Sequence, residues 1–317
     1  MAGARSRGRE KGRVQQPTSW SYCSCRAAGW EDGKLSQRGT RRSYSIGVRP
    51  PSGTRQPLLM IGLFAAALAV AGLAGCGRPA STPAPARIAA AANLQVALTD
   101  IADEFTRVTG DRVELVFGSS GLLTRQIQEG APFEMFLAAD EESVARLNDA
   151  GLTRDAGVPY AIGRIAFFAP RAGPFRPADG FEGLKRLTAA GPLPPFAIAN
   201  PEHAPYGRAA EEALRAHGLW DVMRPSLVLG ENVAQAARFA TTGDAIGGII
   251  AYPLVLTPAL QERVEYALID QTDHAPITQR MALLKNAGAL AQRFYEYLQT
   301  DATRAALERH GFASPMR

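Results

Sequence analysis

Residues 88–118 read IAAAANLQVALTDIADEFTRVTGDRVELVFG, and this stretch decides the fold class. Ile88–Ala92 is a short apolar run typical of a buried strand, and Leu94–Thr109 carries apolar residues at helical spacing until Gly110 ends the pattern. Val113–Phe117 is a second apolar run of strand length. A strand, a helix and a strand joined by short turns predict a βαβ unit with a parallel sheet, and hence an α/β protein.

The same alternation continues to the C-terminus and predicts two α/β units. Further strands are expected at Phe133–Ala138, Ile165–Ala169, Phe196–Ala199, Leu227–Leu229, Ile246–Ile250 and Glu265–Leu268, and Ala275–Leu284 is expected to be extended. Helices are expected at Leu122–Glu129, Glu141–Ala150, Phe181–Ala189, Tyr206–His217, Val233–Thr242, Ala287–Thr300 and Asp301–His310. The Gly- and Pro-rich stretches between these elements are interpreted as surface loops rather than as linkers between independent domains.

The charge of the chain is unevenly distributed. The formal net charge is +5, but residues 1–76 hold 12 Lys and Arg against 3 Asp and Glu, which leaves 23 basic and 27 acidic side chains from residue 77 onward. That part is mildly acidic and has no Lys/Arg stripe with interleaved aromatic residues, so nucleic acid is not an expected partner. Residues 1–57 are rich in Arg, Gly and Ser and are expected to be disordered or untranslated.

The next segment, residues 58–76, has the features of an export signal. Leu58–Ala74 is apolar, and its length suits a signal-peptide core better than a membrane-spanning helix. The segment ends in Leu-Ala-Gly-Cys76, which resembles the bacterial lipobox, whose Cys is lipidated and becomes the mature N-terminus. Ordinary signal cleavage with Cys76 incidental is the alternative. Residues 77–86 then form a Pro-rich tether, and the protein is expected in the periplasm, bound to the membrane only through a lipid anchor on Cys76.

Candidate catalytic and metal-binding groups are few. From residue 77 onward the chain contains no cysteine, and the pair Cys23 and Cys25 lacks the further ligands of a metal site. Neither an HExxH motif nor a Walker loop is present in the sequence. The chain is therefore expected not to be an enzyme, to need no cofactor and to have no cation site.

A Ser-dependent hydrolase is the alternative from another functional class. Ser119 or Ser120 could be combined with His203 and Asp140 into a triad, but the sequence GSSG is not the GxSxG elbow of hydrolases. The carboxylates of residues 140–142 open a predicted helix, where acidic side chains offset the helix dipole. We expect them to have that structural role.

Three turns that each end a strand and open a helix are rich in small hydrogen-bonding groups: Ala90–Asn93, Gly118–Gly121 and Asn200–Gly207. The first N–H groups of a helix have no partner within it, and the helix dipole adds about half a positive charge there. Such turns can hold an oxyanion without Lys or Arg. A chain with three of them and no catalytic set is expected to be an anion receptor.

Five segments, in this order, resemble the signatures of the periplasmic molybdate-binding proteins of ABC importers: AAAANLQVALTDIADEFTRVTG, GSSGLLTRQIQEGAPFEMFLAADEESVARL, YAIGRIAFFAP, IANPEHAPYGRAAEEAL and GENVAQAARFATTGDAIGGII. The resemblance covers Arg87 to the C-terminus. It implies a type II periplasmic-binding-protein fold with lobes 87–164 plus 270–317 and 165–269, and with the ligand in the interlobe cleft. It also implies a monomer that delivers molybdate or tungstate to the permease subunits of an ABC importer.

The resemblance further implies the ligand contacts, through hydroxyl, amide and backbone N–H groups. They fall on Asn93, Ala92, Ser120, Ser119, Tyr206 and Val233. Many relatives add a Tyr hydroxyl after the GxAxxGI segment, but here that position is Ala251, so either the hydroxyl is absent or Tyr252 replaces it. Receptors for sulfate, phosphate or Fe³⁺ are alternatives, and sulfate has the same shape and charge as molybdate.

Overall fold

The computed structural model describes residues 84–315. The predictions for residues 1–57, for the signal segment 58–76 and for most of the tether 77–86 lie outside this range. Among the residues it covers, no helix is long and apolar enough to cross a membrane.

The described chain consists of strands and helices that follow one another in nearly the predicted order. The strands are β1 Ala86–Ala91, β2 Val113–Gly118, β3 Met135–Leu137, β4 Val158–Gly163, β5 Ile165–Pro170, β6 Phe196–Ala199, β7 Leu227–Gly230, β8 Gly248–Ala251, β9 Val264–Leu268 and β10 Ile277–Leu283. The helices are α1 Gln95–Thr109, α2 Ser120–Gln128, α3 Glu142–Asp149, α4 Gly180–Ala190, α5 Pro205–Ala216, α6 Trp220–Met223, α7 Val233–Thr242, α8 Tyr252–Val255, α9 Pro258–Gln261, α10 Ala289–Tyr297 and α11 Asp301–Arg309. A 3₁₀ turn at Ala92–Leu94 joins β1 to α1.

The strands form two five-stranded sheets, ordered β2-β1-β3-β10-β4 and β7-β6-β8-β5-β9. We call each sheet with its helices a lobe, the first lobe being the one that contains β1. The predicted parallel pairing is found for β1 with β2 and β3, and for β6 with β7 and β8.

Both sheets also contain antiparallel strands, which the βαβ pattern does not predict. The strand β10 runs antiparallel to β3 and β4, and β5 runs antiparallel to β8 and β9. A parallel neighbour requires a crossover connection, usually a helix. No helix separates β4 from β5, which are joined by Arg164 alone as the chain passes from the first sheet to the second, and β10 brings it back after β9.

One strand, β4, is not predicted from the sequence pattern. Gly157, Pro159 and Gly163 interrupt the apolar run there and are typical of a loop. The structure places β4 at the edge of the first sheet, where a proline can be accommodated without loss of an interior hydrogen bond.

Each sheet has its own apolar core. In the first lobe, α1 buries Leu98, Ile101 and Phe105, and Phe105 packs edge to face against Phe294 of α10 with ring centroids 5.1 Å apart. In the second lobe, Phe167 makes edge-to-face contacts with two further aromatic rings. The periodic apolar faces that predicted the helices are therefore the faces that pack on the sheets.

Candidate functional site

The turns after β1, β2, β6 and β7 meet around one cavity between the two sheets. It is lined by Ala91, Ala92, Asn93, Gly118, Ser119, Ser120, Ala139, Ala204, Pro205, Tyr206, Asn232 and Val233. All six residues predicted as ligand contacts are in this set. Both lobes contribute to the cavity, so its composition depends on how the lobes meet.

The two serines of the GSSG turn have different partners. Ser119 is the N-cap of α2, where its Oγ accepts the N–H of Leu122 at 3.4 Å and lies 3.0 Å from Nδ1 of His203. The Oγ of Ser120 accepts the backbone N–H of Ala139 at 2.8 Å, and Ser120 is fully buried. Because that bond uses Ser120 as an acceptor, its hydroxyl hydrogen remains available to a group in the cavity.

Three buried side chains form a hydrogen-bonded group that joins the two lobes. The amide nitrogen of Asn93 lies 3.0 Å from Oε1 of Gln279 and 3.3 Å from Oη of Tyr206, and Nε2 of Gln279 lies 2.9 Å from the same Oη. Burial raises the pKa of the Tyr206 hydroxyl. Tyr206 therefore stays neutral and keeps its proton.

The N-terminus of α7 also faces the cavity. The side chain of Asn232 caps it by accepting the N–H groups of Ala234 and Gln235, each at 3.0 Å. The N–H of Val233, one residue earlier, has no acceptor within its own helix. The resemblance implies a ligand contact at this residue.

None of the residues that line the cavity carries a charge. The helices α2, α5 and α7 begin at this cavity. Their free N–H groups and the partial positive charge of the helix dipoles make it favourable for an anion. Among residues 84–315, no cluster of three or more His, Cys, Asp and Glu could hold a metal ion. The arrangement can bind an anion through hydrogen-bond donors alone.

The lobes approach each other closely beside the cavity. The N–H of Gly121 in the first lobe donates to the carbonyl of His203 in the second at 2.9 Å, and an ion pair joins Asp140 to Arg208. A Cβ on Gly121 would lie 2.7 Å from that carbonyl oxygen. Only glycine permits this backbone contact.

The structure does not bring Tyr252 or Ala251 to the cavity. Ala251 is buried at the end of β8, and neither residue lines the space. The ring of Tyr252 lies under the Arg164 guanidinium at 5.6 Å and tilted against Tyr266 at 5.8 Å. Tyr252 therefore does not supply a hydroxyl to this cavity.

The hypothetical triad is also not assembled. Ser119 contacts His203, but the carboxylate of Asp140 is paired with Arg208 and accepts the N–H of Ser143 at 3.0 Å. Without a carboxylate on the imidazole, the Ser–His pair lacks the third member of a triad.

Sequence reasoning missed three polar residues of the site. Asn232 stands just before a predicted helix and had a recognisable N-cap signal. Gln279 alternates with the buried Ile277 and Met281 in the predicted extended segment, so the strand period could have placed it inward. Tyr160, which lies 2.8 Å from Gln279, begins one of the five segments that carry the resemblance, but it is in the unpredicted strand β4 and no periodic pattern marked it as a site residue.

The family model of the bacterial extracellular solute-binding proteins matches residues 86–313. The chain belongs to this family. It is 33% identical over 255 residues to the molybdate-binding protein of Rhodobacter capsulatus, covering 80% of the chain and 97% of that relative. The molybdate-binding protein of Azotobacter vinelandii is 31% identical over 245 residues, covering 76% and 94% respectively.

Solved structures show the same fold. The periplasmic molybdate-binding protein of Azotobacter vinelandii matches with a TM-score of 0.65 and 26% identity, covering 73% of this chain and 100% of that one. The sulfate-binding protein SubI of Mycobacterium tuberculosis matches with a TM-score of 0.59 at 16% identity, covering 73% and 86%. These matches confirm the two-lobed periplasmic-binding-protein fold.

Family membership also establishes the class of activity. The protein is an extracytoplasmic solute-binding component of transport and not an enzyme, and such components work with the membrane permease of an ABC transporter. The hydrolase alternative is thereby removed.

Proposed function

We propose that this protein captures molybdate or tungstate between its lobes and delivers it to the permease subunits of an ABC importer. The observation that carries the proposal is the uncharged cavity at which Ser120, Tyr206 and Val233 place three helix N-termini. Two relatives at 33% and 31% identity are molybdate-binding proteins, and this chain covers 97% and 94% of their lengths.

The proposed binding mechanism uses donors already held in place. A tetrahedral dianion would accept the hydroxyl of Ser120, the amide of Asn93 and the helix N–H groups of Tyr206 and Val233. Closure of the lobes removes water from the cavity, and hydrogen bonds to a charged group then contribute about 1.5–3 kcal/mol each. Because these donors lie on helix N-termini and in buried hydrogen bonds, little further ordering is needed once the lobes have closed.

Sulfate is the second candidate ligand, since a sulfate-binding protein shares the fold and sulfate has the same charge and shape. We favour molybdate and tungstate because the relatives at 33% and 31% identity are molybdate-binding proteins, whereas the sulfate-binding protein is only 16% identical.

Titration calorimetry of residues 77–317 with molybdate, tungstate, sulfate and phosphate tests the proposal. Tight binding of the first two and weak binding of the others is expected. Equal affinity for sulfate would keep the receptor and overturn its selectivity, whereas no heat with any oxyanion would overturn the proposed function.

The location is proposed to be the outer face of a membrane, through a lipid on Cys76. The lipobox supports this, as does a match of 29% identity over 234 residues to a Bacillus subtilis protein named as an ABC transporter substrate-binding lipoprotein. Cys76→Ala should move the protein from the membrane to the soluble fraction. Unchanged membrane association would contradict the anchor.

We also propose that the protein acts as a monomer and without a cofactor, as the resemblance to the molybdate-binding proteins implies. Gel filtration with and without molybdate should give the monomer mass, and a dimer in either condition would contradict this.

A further inference from the structure

A chain of hydrogen-bonding groups leads from a backbone carbonyl to the cavity. Oη of Tyr160 lies 3.0 Å from the carbonyl oxygen of Ala138 and 2.8 Å from the amide of Gln279. The same amide reaches the amide of Asn93 at 3.0 Å and Oη of Tyr206 at 2.9 Å. Gln279 is fully buried and is the group that connects all the others.

The direction of these hydrogen bonds follows from the donors and acceptors. A carbonyl can only accept, and a hydroxyl has one hydrogen, so a Tyr160 hydroxyl that donates to Ala138 must accept from Gln279. The atom of Gln279 that faces Tyr160 is then its Nε2, whose second hydrogen is directed at the Asn93 amide. Oε1 of Gln279 accepts the hydroxyl of Tyr206.

The amide of Asn93 is fixed by this direction. With the opposite orientation of both amides, Oε1 of Gln279 faces Tyr160, and Oδ1 of Asn93 is buried without a partner. The two amides can turn only together, because one turned alone sets two donors or two acceptors face to face at 3.0 Å. Turning both leaves every atomic position unchanged and gives each buried amide oxygen a partner, while the two N–H groups of Asn93 then occupy the position that has no partner in the protein and are left for the cavity.

We propose that Gln279 is a positioning residue that holds the Asn93 side chain with its nitrogen, and not its oxygen, toward the cavity. This rests on the proposed function and deepens it, because it makes the cavity a set of donors with no facing acceptor. The substrate class is then a fully deprotonated oxyanion. Hydrogen phosphate would bring a proton that finds no acceptor, and a buried unpaired donor is heavily penalised.

The contact between Gln279 and Tyr206 also depends on lobe closure. Gln279 lies on β10 of the first lobe and Tyr206 on α5 of the second. The backbone of Gly163 packs against this contact, where an added Cβ would lie 2.4 Å from Oη of Tyr206 and 2.8 Å from the nearer terminal amide atom of Gln279. The hydrogen-bond direction at Asn93 is thus set in the closed arrangement of the lobes.

Calorimetry of the full-length protein and its variants with molybdate and with phosphate near pH 7 tests the proposal. Gln279→Met should weaken molybdate binding about tenfold or more, which is the loss of one hydrogen bond to a charged group. It should also lower the molybdate-to-phosphate selectivity, because a freed Asn93 can turn its oxygen to the phosphate proton. The control Gln292→Met, on α10 away from the cavity, should change neither value.

Two further variants test the direction of the bonds. Asn93→Leu removes the proposed donor and should weaken molybdate binding more than Tyr206→Phe, which removes only a hydroxyl directed at Gln279. The reverse order would overturn the proposal, and so would a Gln279→Met variant with unchanged selectivity. Neutron diffraction of the protein reads the amide orientation without a ligand. If no oxyanion binds the wild type, the proposed function fails. If the amide deuterium atoms of Gln279 point at Oη of Tyr206, the inference itself is refuted.

Discussion

Replacing Ser120 by Ala should separate a structural bond from a ligand bond. The hydroxyl oxygen accepts the N–H of Ala139 at 2.8 Å, and both residues are buried. The variant leaves that N–H unpaired, which costs about 1–3 kcal/mol of the free energy of unfolding. For a domain of this size, each kcal/mol shifts the melting temperature by about 2–4 °C. The ligand-free variant should therefore melt about 2–12 °C lower.

The same substitution removes one donor to the bound dianion, so the Kd for molybdate should rise about 10- to 100-fold. At a thousandfold excess over the wild-type Kd, molybdate stabilises the wild type by about 4 kcal/mol. At the same molybdate concentration, ligand binding should stabilise the variant by about 1.4–2.7 kcal/mol less than it stabilises the wild type. Its melting shift on adding molybdate should accordingly be about 3–11 °C smaller.

Thermal unfolding with and without molybdate, together with calorimetry, measures the two effects separately. The matched control is Ser119→Ala, which removes the N-cap of α2 and should cost about 1 kcal/mol of stability but less affinity. If Ser120→Ala lowers the ligand-free melting temperature while the Kd for molybdate is unchanged, Ser120 is only the partner of Ala139. The assignment of Ser120 as a ligand contact would then be refuted.

Three other perturbations have definite expected outcomes. Gly121→Ala sets a Cβ 2.7 Å from the His203 carbonyl, so about 1–3 kcal/mol of overpacking should weaken molybdate binding in calorimetry, and an unchanged Kd would contradict the close approach of the lobes. His203→Ala removes the bond to Ser119, but His203 does not contact the anion. The ratio of the Kd values for molybdate and sulfate should therefore stay the same in calorimetry. Burial raises the pKa of Tyr160 and Tyr206, so the unfolded chain loses these protons first; urea unfolding should show stability falling above about pH 10, and a flat profile would contradict it.

Most of the elements and the residues of the cavity could be predicted from the sequence. The predicted helix Val233–Thr242 and strand Phe196–Ala199 have the bounds found in the structure, and other elements shift by a few residues. The signals involved are local: apolar spacing within a helix, a glycine at its end, an N-cap at its start. The resemblance then placed Ser120, Tyr206 and Val233 at the first turns of their helices, which is where the structure has them.

The mixed pairing of the sheets, the edge strand β4 and the position of Tyr252 were decided by the tertiary structure. A local pattern does not record whether a chain turns into its own sheet or passes to another one, as it does at Arg164. The same limit holds at the cavity. Asn93 and Gln279 are 186 positions apart, and each amide alone could face either way. Their orientation is set only when β1, β10 and α5 bring Asn93, Gln279 and Tyr206 within hydrogen-bond distance, because a hydrogen bond has a direction that two partners must share.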